Sequence, residues 1–176
     1  EAGCKVIRMG IESGDEHIRN VVYHKKTSNE QIRDAVRLVK SYGMSIMAYY
    51  ILGGPYENKK TVQATIDLAN ELDCQRNTFF IYKVLTEEGE KQMLDSGAIL
   101  HTETSDNINF GAIAELPDLP SKLLFRMWQQ AYLHTLSKRI PRLIRAQGLG
   151  YFTRLAKYIY KGWRQGLSMK YLWSYS

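Results

Sequence analysis

Cysteine is nearly absent from this chain: Cys4 and Cys74 are the only two in 176 residues. Standing far apart, they form neither a disulfide framework nor a Cys-x-x-Cys metal site, and their apolar neighbours predict buried packing for both. Long apolar runs are also missing. No stretch reaches the ~18 to 20 uncharged apolar residues of a membrane span, and the first residues lack the basic and apolar regions of a signal peptide; the expected compartment is the cytoplasm. The four histidines, His17, His24, His101 and His134, show no ligand spacing and adjoin no nucleophile, so they are left out of any candidate site. Internal repeats and low-complexity tracts are absent too.

Acid is missing from one end. Residues 1–118 carry all 18 acidic groups and 13 of the Lys and Arg, a balance of 13 − 18 = −5. Residues 119–176 carry the other 11 cations and no acid, and hold 11 of the 20 aromatic residues. The two parts are expected to do different jobs.

The patterning of the first part is that of alternating strands and helices. Lys5 to Ile11 alternates as a strand and runs into a small polar turn, Glu12-Ser13-Gly14-Asp15. A short helix from Asp15 to Val22 and a basic loop, Tyr23 to Lys26, follow. Thr27-Ser28-Asn29-Glu30 reads as a capping box with Thr27 as cap, and Ile32, Ala35, Val36 and Val39 recur at helical spacing up to Gly43. The unbroken apolar run before Gly53-Gly54-Pro55-Tyr56-Glu57 predicts a strand buried on both faces. Thr61–Leu72 reads as a helix, Thr78–Leu85 as a third strand, and Glu88–Ser96 as a helix stopped by Gly97. The order β-α-β-α-β-α predicts parallel strands in an α/β fold. Residues 98–119 read as a connector. Ser121 is expected to cap a helix whose Leu124, Met127, Trp128, Ala131 and Thr135 share a face, ending near Pro141. From Gly150 a basic amphipathic helix is predicted, with Phe152, Leu155, Ile159 and Trp163 opposite Arg154, Lys157, Lys161 and Arg164.

Ligands of parallel α/β sheets bind beyond the carboxyl ends of the strands, which draws attention to two turns. An acceptor carboxylate beside a hydroxyl, Glu12-Ser13, suits a ribose diol. A Gly53-Gly54 turn lets a ligand approach the backbone closely. Each has a structural alternative: Glu12 as a cap for the short helix, and Glu57 as a complement to the positive end of the helix that follows. Neither turn is specific alone.

As an ordered set, Ala2-Gly3-Cys4, Gly10-Ile11-Glu12-Ser13-Gly14, Lys25-Lys26-Thr27, Lys40-Ser41-Tyr42-Gly43 and Ile51-Leu52-Gly53-Gly54-Pro55-Tyr56-Glu57 resemble successive landmarks of radical SAM enzymes over residues 1–97. The nearest flavour is the branch with a cobalamin-binding domain ahead of the radical SAM domain, which includes methyltransferases and an anaerobic cyclase. The resemblance implies part of a (β/α)6 partial TIM barrel, residues 1–97 supplying its carboxyl-terminal half, then a connector (98–119) and an all-helical extension (120–176). It implies S-adenosylmethionine at the strand ends, with Glu12 and Ser13 in the ribose motif and Ile51 against the adenine. Tyr49 stands at a position that sometimes contacts the cofactor, Lys25 or Lys26 near the methionine carboxylate, and Gly53 and Gly54 in the turn that shapes the site. A [4Fe-4S] cluster is implied as well, and cobalamin for the branch.

The departure from the family is the missing C-x3-C-x2-C loop, whose thiolates hold the cluster. Cys4 and Cys74 cannot replace it. The chain is therefore expected to be the carboxyl-terminal portion of a longer enzyme and inactive alone, with the amino-terminal remainder as its partner. The parent reaction would be reductive cleavage of S-adenosylmethionine and radical hydrogen abstraction from a small-molecule or lipid-like substrate, with cobalamin-dependent methyl transfer or cyclisation as its version. For residues 150 to 166 the expectations are a helix packed on the barrel, an anionic membrane surface met peripherally, or, less favoured, RNA. The rivals are a methylthiotransferase-type enzyme and a noncatalytic βα scaffold with a membrane- or RNA-binding arm.

Overall fold

The computed structural model describes residues 3–100, 114–148, 150 and 153. The predicted basic helix therefore lies, apart from Gly150 and Thr153, outside the described residues. Strand β1 (Val6–Glu12) leads through helices α1 (Glu16–Val21) and α2 (Asn29–Ser41) to β2 (Ser45–Leu52), then α3 (Lys59–Leu72), β3 (Arg76–Ile81) and α4 (Glu87–Asp95). The three strands pair in parallel in the order β1-β2-β3. The expected α/β architecture is present, with its elements in the expected order.

Helix starts follow local chemistry, with one shift of register. Ser28, not Thr27, caps α2: its side chain accepts from the Gln31 amide while Gln31 answers on the Ser28 amide. Asn58 caps α3 in the same reciprocal way with Thr61. Asp15 caps α1, so Glu12 is not needed as its cap.

Strand β2 departs from expectation. Ile46, Ala48, Tyr50 and Leu52 are fully buried beneath the helices, whereas Met47, Tyr49 and Ile51 stay partly exposed. The run is apolar throughout, yet only one face is covered, because α2 and α3 bring Ile32, Val36, Val62, Ile66, Leu68 and Ala69 to the same side. Period-two alternation puts the remaining side chains on an open face.

Residues 98–119 are not featureless. Strands β4 (Ile99–Leu100) and β5 (Ala114–Glu115) pair antiparallel, and Leu116 bridges to Leu119. Ser121 lies inside helix α5 (Ser121–Gln147) rather than capping it; its hydroxyl donates to Glu115 Oε1, and the Pro120 carbonyl accepts from Leu123 and Leu124. The predicted apolar face holds: Leu124, Met127, Trp128 and Ala131 are buried in the core, and the Trp128 indole donates to the Phe79 carbonyl at 2.9 Å. The helix does not break at Pro141 but continues through it; proline's fixed φ is compatible with a helix, which forgoes one donor there. Two compact units divide the chain, Glu1–Thr135 and Leu136–Ser176. Among the described residues no helix is long and apolar enough to cross a membrane.

Candidate functional site

The carboxyl edge of the sheet is shaped by two turns that solve the same problem differently. At the end of β1 the pairing with β2 slips between Gly10 and Glu12, and Glu12 adopts φ 66°. A bulge of this kind re-aims a side chain at the cost of strain, since a non-glycine residue rarely occupies that region. Here it folds the Glu12 carboxylate back over Gly10, where a Cβ would stand 2.4 Å from Glu12 Oε1. A side chain at position 10 would thus push the carboxylate out of this place. The carboxylate meets Lys25 Nζ at 3.0 Å and stays partly open to solvent. Of the two candidate lysines it is Lys25 that reaches Glu12; Lys26, at φ 49°, is exposed and makes no ion pair among the described residues.

Ser13 plays a different part from the one expected. It is fully buried, its hydroxyl lies 3.2 Å from Thr65 Oγ1, and it accepts from the Asp15 amide. Thr65 also accepts from the Gly14 amide at 2.8 Å. The hydroxyl of Ser13 is spent on tying the first turn to α3.

Behind this turn lies Arg19, a residue that sequence reasoning passed over. It is fully buried and donates to the carbonyls of Ser13 and Thr27 and to Asn29 Oδ1 at 2.7 to 3.1 Å. Its own carbonyl accepts from the Lys25 amide at 3.3 Å. One guanidinium therefore clamps the Glu12-Ser13 turn to the loop carrying Lys25. Burial lowers its pKa, partly offset by Glu16 and Asp15. Nothing local in the sequence marks an arginine for burial; its carbonyl partners become adjacent only on folding.

The second turn is closed on itself. Gly53 has φ 80°, and the amides of Gly53 and Gly54 both donate to Glu57 Oε2, at 2.6 and 2.9 Å. Glu57 is 3% exposed, and burial pushes its pKa up to about 8 against the lowering effect of the two amides, so it is largely protonated at neutral pH. The space above the glycines is occupied by the protein: a Cβ on Gly53 would meet Leu124 Cδ2 at 2.4 Å, and one on Gly54 would meet the Tyr23 hydroxyl at 2.2 Å. The paired glycines therefore do not open the backbone to a ligand, contrary to expectation, but make room for Leu124 and Tyr23. Tyr23 Oη and Glu57 Oε1 are both buried without a hydrogen-bond partner. Burial first, and then the charge of Glu57, raise the Tyr23 pKa well above its usual value.

Tyr49 and Ile51 stand on the open face of β2, Tyr49 stacked against Phe80 with ring centroids 6.1 Å apart. The structure thus brings Glu12 and Lys25 together, puts Tyr49 and Ile51 on the open face of the adjoining strand, and withdraws Ser13 and the glycine Cα positions into packing.

Residues 1–69 match the radical SAM superfamily. Beyond the family match, the chain is 35% identical over 81 residues to an uncharacterised methyltransferase of Pyrococcus horikoshii, covering 46% of this chain and 17% of that protein. It is 38% identical over 77 residues to an uncharacterised protein of Methanocaldococcus jannaschii, covering 42% of this chain and 21% of the other. The chain thus spans about a fifth of the length of these relatives. Among solved structures it resembles coproporphyrinogen III oxidase from Escherichia coli, itself a radical SAM enzyme, with a TM-score of 0.52 and 18% identity over 78% of this chain and 27% of that one. That likeness supports the fold: three parallel strands alternating with helices as in part of the radical SAM partial barrel, plus a carboxyl-terminal helix.

The family implies S-adenosylmethionine and a [4Fe-4S] cluster, and the residues here fit the two unequally. A cluster needs three thiolates, and this sequence has two cysteines, Cys4 exposed and Cys74 buried, contrary to the expectation of burial for both. Among the described residues no three His, Cys, Asp or Glu gather as a ligand group. The cluster does not fit this chain, and no step is derived through it. The nucleoside fits better. Glu12 is a partly exposed carboxylate at the strand end, held over a glycine that leaves it room.

Proposed function

We propose that this chain forms the nucleoside-binding wall of a radical SAM enzyme. The observation that carries the reading is the Gly10-Ile11-Glu12 bulge, which turns a carboxylate out at the carboxyl edge within a stretch that matches the superfamily. Glu12 would accept hydrogen bonds from the two ribose hydroxyls, and Lys25 would hold that carboxylate in place and leave donors free for the methionine carboxylate. Ile51 would give the adenine an apolar surface. S-adenosylmethionine bound there would be the source of the hydrogen-abstracting radical in the whole enzyme. Methyl transfer is the reaction version we favour, because the Pyrococcus horikoshii relative is named a methyltransferase; the cobalamin this version would use in the expected branch is tested by the cobalamin content of the purified full-length protein.

The test is S-adenosylmethionine binding by the full-length protein. Glu12→Ala should weaken binding tenfold or more, about 1.4 kcal/mol, with folding unchanged; equal affinity removes Glu12 from the site and the reading with it.

For the carboxyl-terminal arm we propose peripheral attachment to anionic membranes. Within α5, Ile140 and Ile144 are 42% and 37% exposed and stand on the opposite side of the helix from Lys138, Arg142 and Arg145. An acid-free helix of this kind suits a headgroup interface. Co-sedimentation with phosphatidylglycerol vesicles should be lost when Arg142 and Arg145 are both replaced by Glu; absence of binding by the unaltered protein overturns the proposal.

A further inference from the structure

The open face of the sheet carries an unusual charge pattern. Arg8 of β1, Met47 of β2 and Arg76 of β3 are cross-strand neighbours in one row. Adjacent strands lie ~4.8 Å apart, so the two arginine backbones are roughly 10 Å from each other, and their long side chains can converge over Met47. One row nearer the carboxyl edge stand Gly10, Tyr49 and Thr78; beyond them come Ile51 and Phe80. The face is thus a pair of cations at one end, a stacked Tyr49–Phe80 platform in the middle, and the Glu12–Lys25 pair at the carboxyl edge.

Elsewhere in this acidic part of the chain, arginines are matched. Arg33 pairs with Glu30 and Glu71, Arg37 with Glu30 and Asp34, and buried Arg19 is saturated by oxygen acceptors. Among the described residues Arg8 and Arg76 make no ion pair or hydrogen bond from their side chains, although residues 1–118 carry 18 acids against 13 cations. Within the three strands themselves Glu12 is the one carboxylate, and Lys25 pairs with it. Planar guanidinium groups bind carboxylate and phosphate oxygens with two parallel hydrogen bonds, and the half-exposed aromatic shelf offers a flat apolar surface beside them.

We infer that this face binds a small organic anion, a carboxylate or phosphate ester whose flat unsaturated body lies on Tyr49 and Phe80 and whose oxyanion is held by Arg8 and Arg76. This rests on the reading above and names the substrate class for it: the body would lie between the arginine row and the carboxyl edge, so that its far end faces the nucleoside wall. Four residues of strand separate the Arg8 row from Glu12, or roughly 13 Å, enough for a bicyclic ring system.

The experiment titrates the full-length protein with 1-naphthyl phosphate, 1-naphthoate, 1-naphthylmethanol and inorganic phosphate, and measures S-adenosylmethionine binding on the same samples. Saturable sub-millimolar binding of at least one naphthyl anion is expected, weakened tenfold or more in the R8Q/R76Q double variant and by Phe80→Ala. S-adenosylmethionine affinity should be unchanged in the double variant, which also reports that it is folded. Equal binding of naphthylmethanol overturns the role of charge; equal binding of inorganic phosphate overturns the role of the aromatic shelf. Unaltered anion affinity in R8Q/R76Q, or a face occluded by self-association that dilution reverses, overturns the inference as a whole. If S-adenosylmethionine binds and no naphthyl anion does, the inference falls and the functional reading stands. If the anion binds through Arg8 and Arg76 but S-adenosylmethionine does not, the functional reading falls and the anion site stands alone.

Discussion

Two glutamates end up at the same edge of one sheet, Glu12 closing its strand and Glu57 in the turn after the next, and their fates are opposite. Glu12 is turned outward by a bulge and meets a lysine that is itself 41% exposed; Glu57 is turned inward, 3% exposed, and closes a loop by accepting two backbone amides. Residue type and position in the βα unit are shared. Solvent access makes the difference: a carboxylate that keeps part of its hydration can stay charged and recognise a hydroxyl pair, whereas one buried against backbone donors serves the turn and is largely neutral at pH 7. The outward glutamate is thus suited to binding, and the inward one to architecture.

The largest effect that would break this comparison is on the pH dependence of stability. Burial holds the Glu57 pKa at about 8, above its unfolded value near 4.5, so between those values the folded state keeps a proton the unfolded state has released. Its contribution therefore falls as pH rises from about 4.5 to about 8 and is level beyond. Urea unfolding at pH 5 and pH 8 should show wild-type stability falling by a few kcal/mol from this group, and the fall should shrink in Glu57→Gln. A profile identical in the variant would mean that Glu57 is ionised in the folded protein.

Next in size is the first turn's attachment to α3. A Cβ on Gly14 would stand 2.3 Å from the Ala64 carbonyl oxygen, a backbone atom with no freedom to retreat. Gly14→Ala should cost about 3 kcal/mol in unfolding free energy and loosen the Ser13–Thr65 tie. A cost below that of an ordinary surface exchange would show that α3 is not seated against the turn.

The smallest effect tests the second turn. Gly54→Ala forces a methyl against the Tyr23 hydroxyl, and a loss of about 2 kcal/mol is expected by thermal unfolding. Tyr23→Phe removes the offending oxygen, which has no hydrogen-bond partner to lose, so the double variant should recover part of the loss. Strict additivity would place the strain elsewhere. Glu12→Gln serves as the contrast, with an effect on stability no larger than the ~0.5 kcal/mol of an exposed pair.

Much of the fold could be read from the chain because its signals are local. The start of α2 was legible to within one residue, since its cap, Ser28 rather than Thr27, satisfies an amide only three residues on. The Leu124, Met127, Trp128 and Ala131 stripe repeats with the helix and is buried as its period demands. What failed to show depends on partners remote in sequence. Ser13 meets Thr65 across 52 residues, and Trp128 meets Phe79 across 49. Tyr23 reaches Gly54, and Leu124 reaches Gly53, which is why the glycines there serve packing rather than ligand approach. Pro141 misled in the other direction, since a local breaker lost to its helical neighbours.

By itself the sequence determined the βα order, the match of residues 1–69 to the radical SAM superfamily and the candidacy of Glu12, because each rests on neighbours along the chain or on an ordered set of short motifs. Only the tertiary structure decided that Lys25 and not Lys26 holds Glu12, that Ser13 and Glu57 turn inward, and that one face of β2 stays partly exposed between Arg8 and Arg76 on the flanking strands. The reason is solvent: which side of a strand or turn keeps its water is settled by what packs against it from elsewhere in the chain, and that choice separates a solvated carboxylate from a structural one.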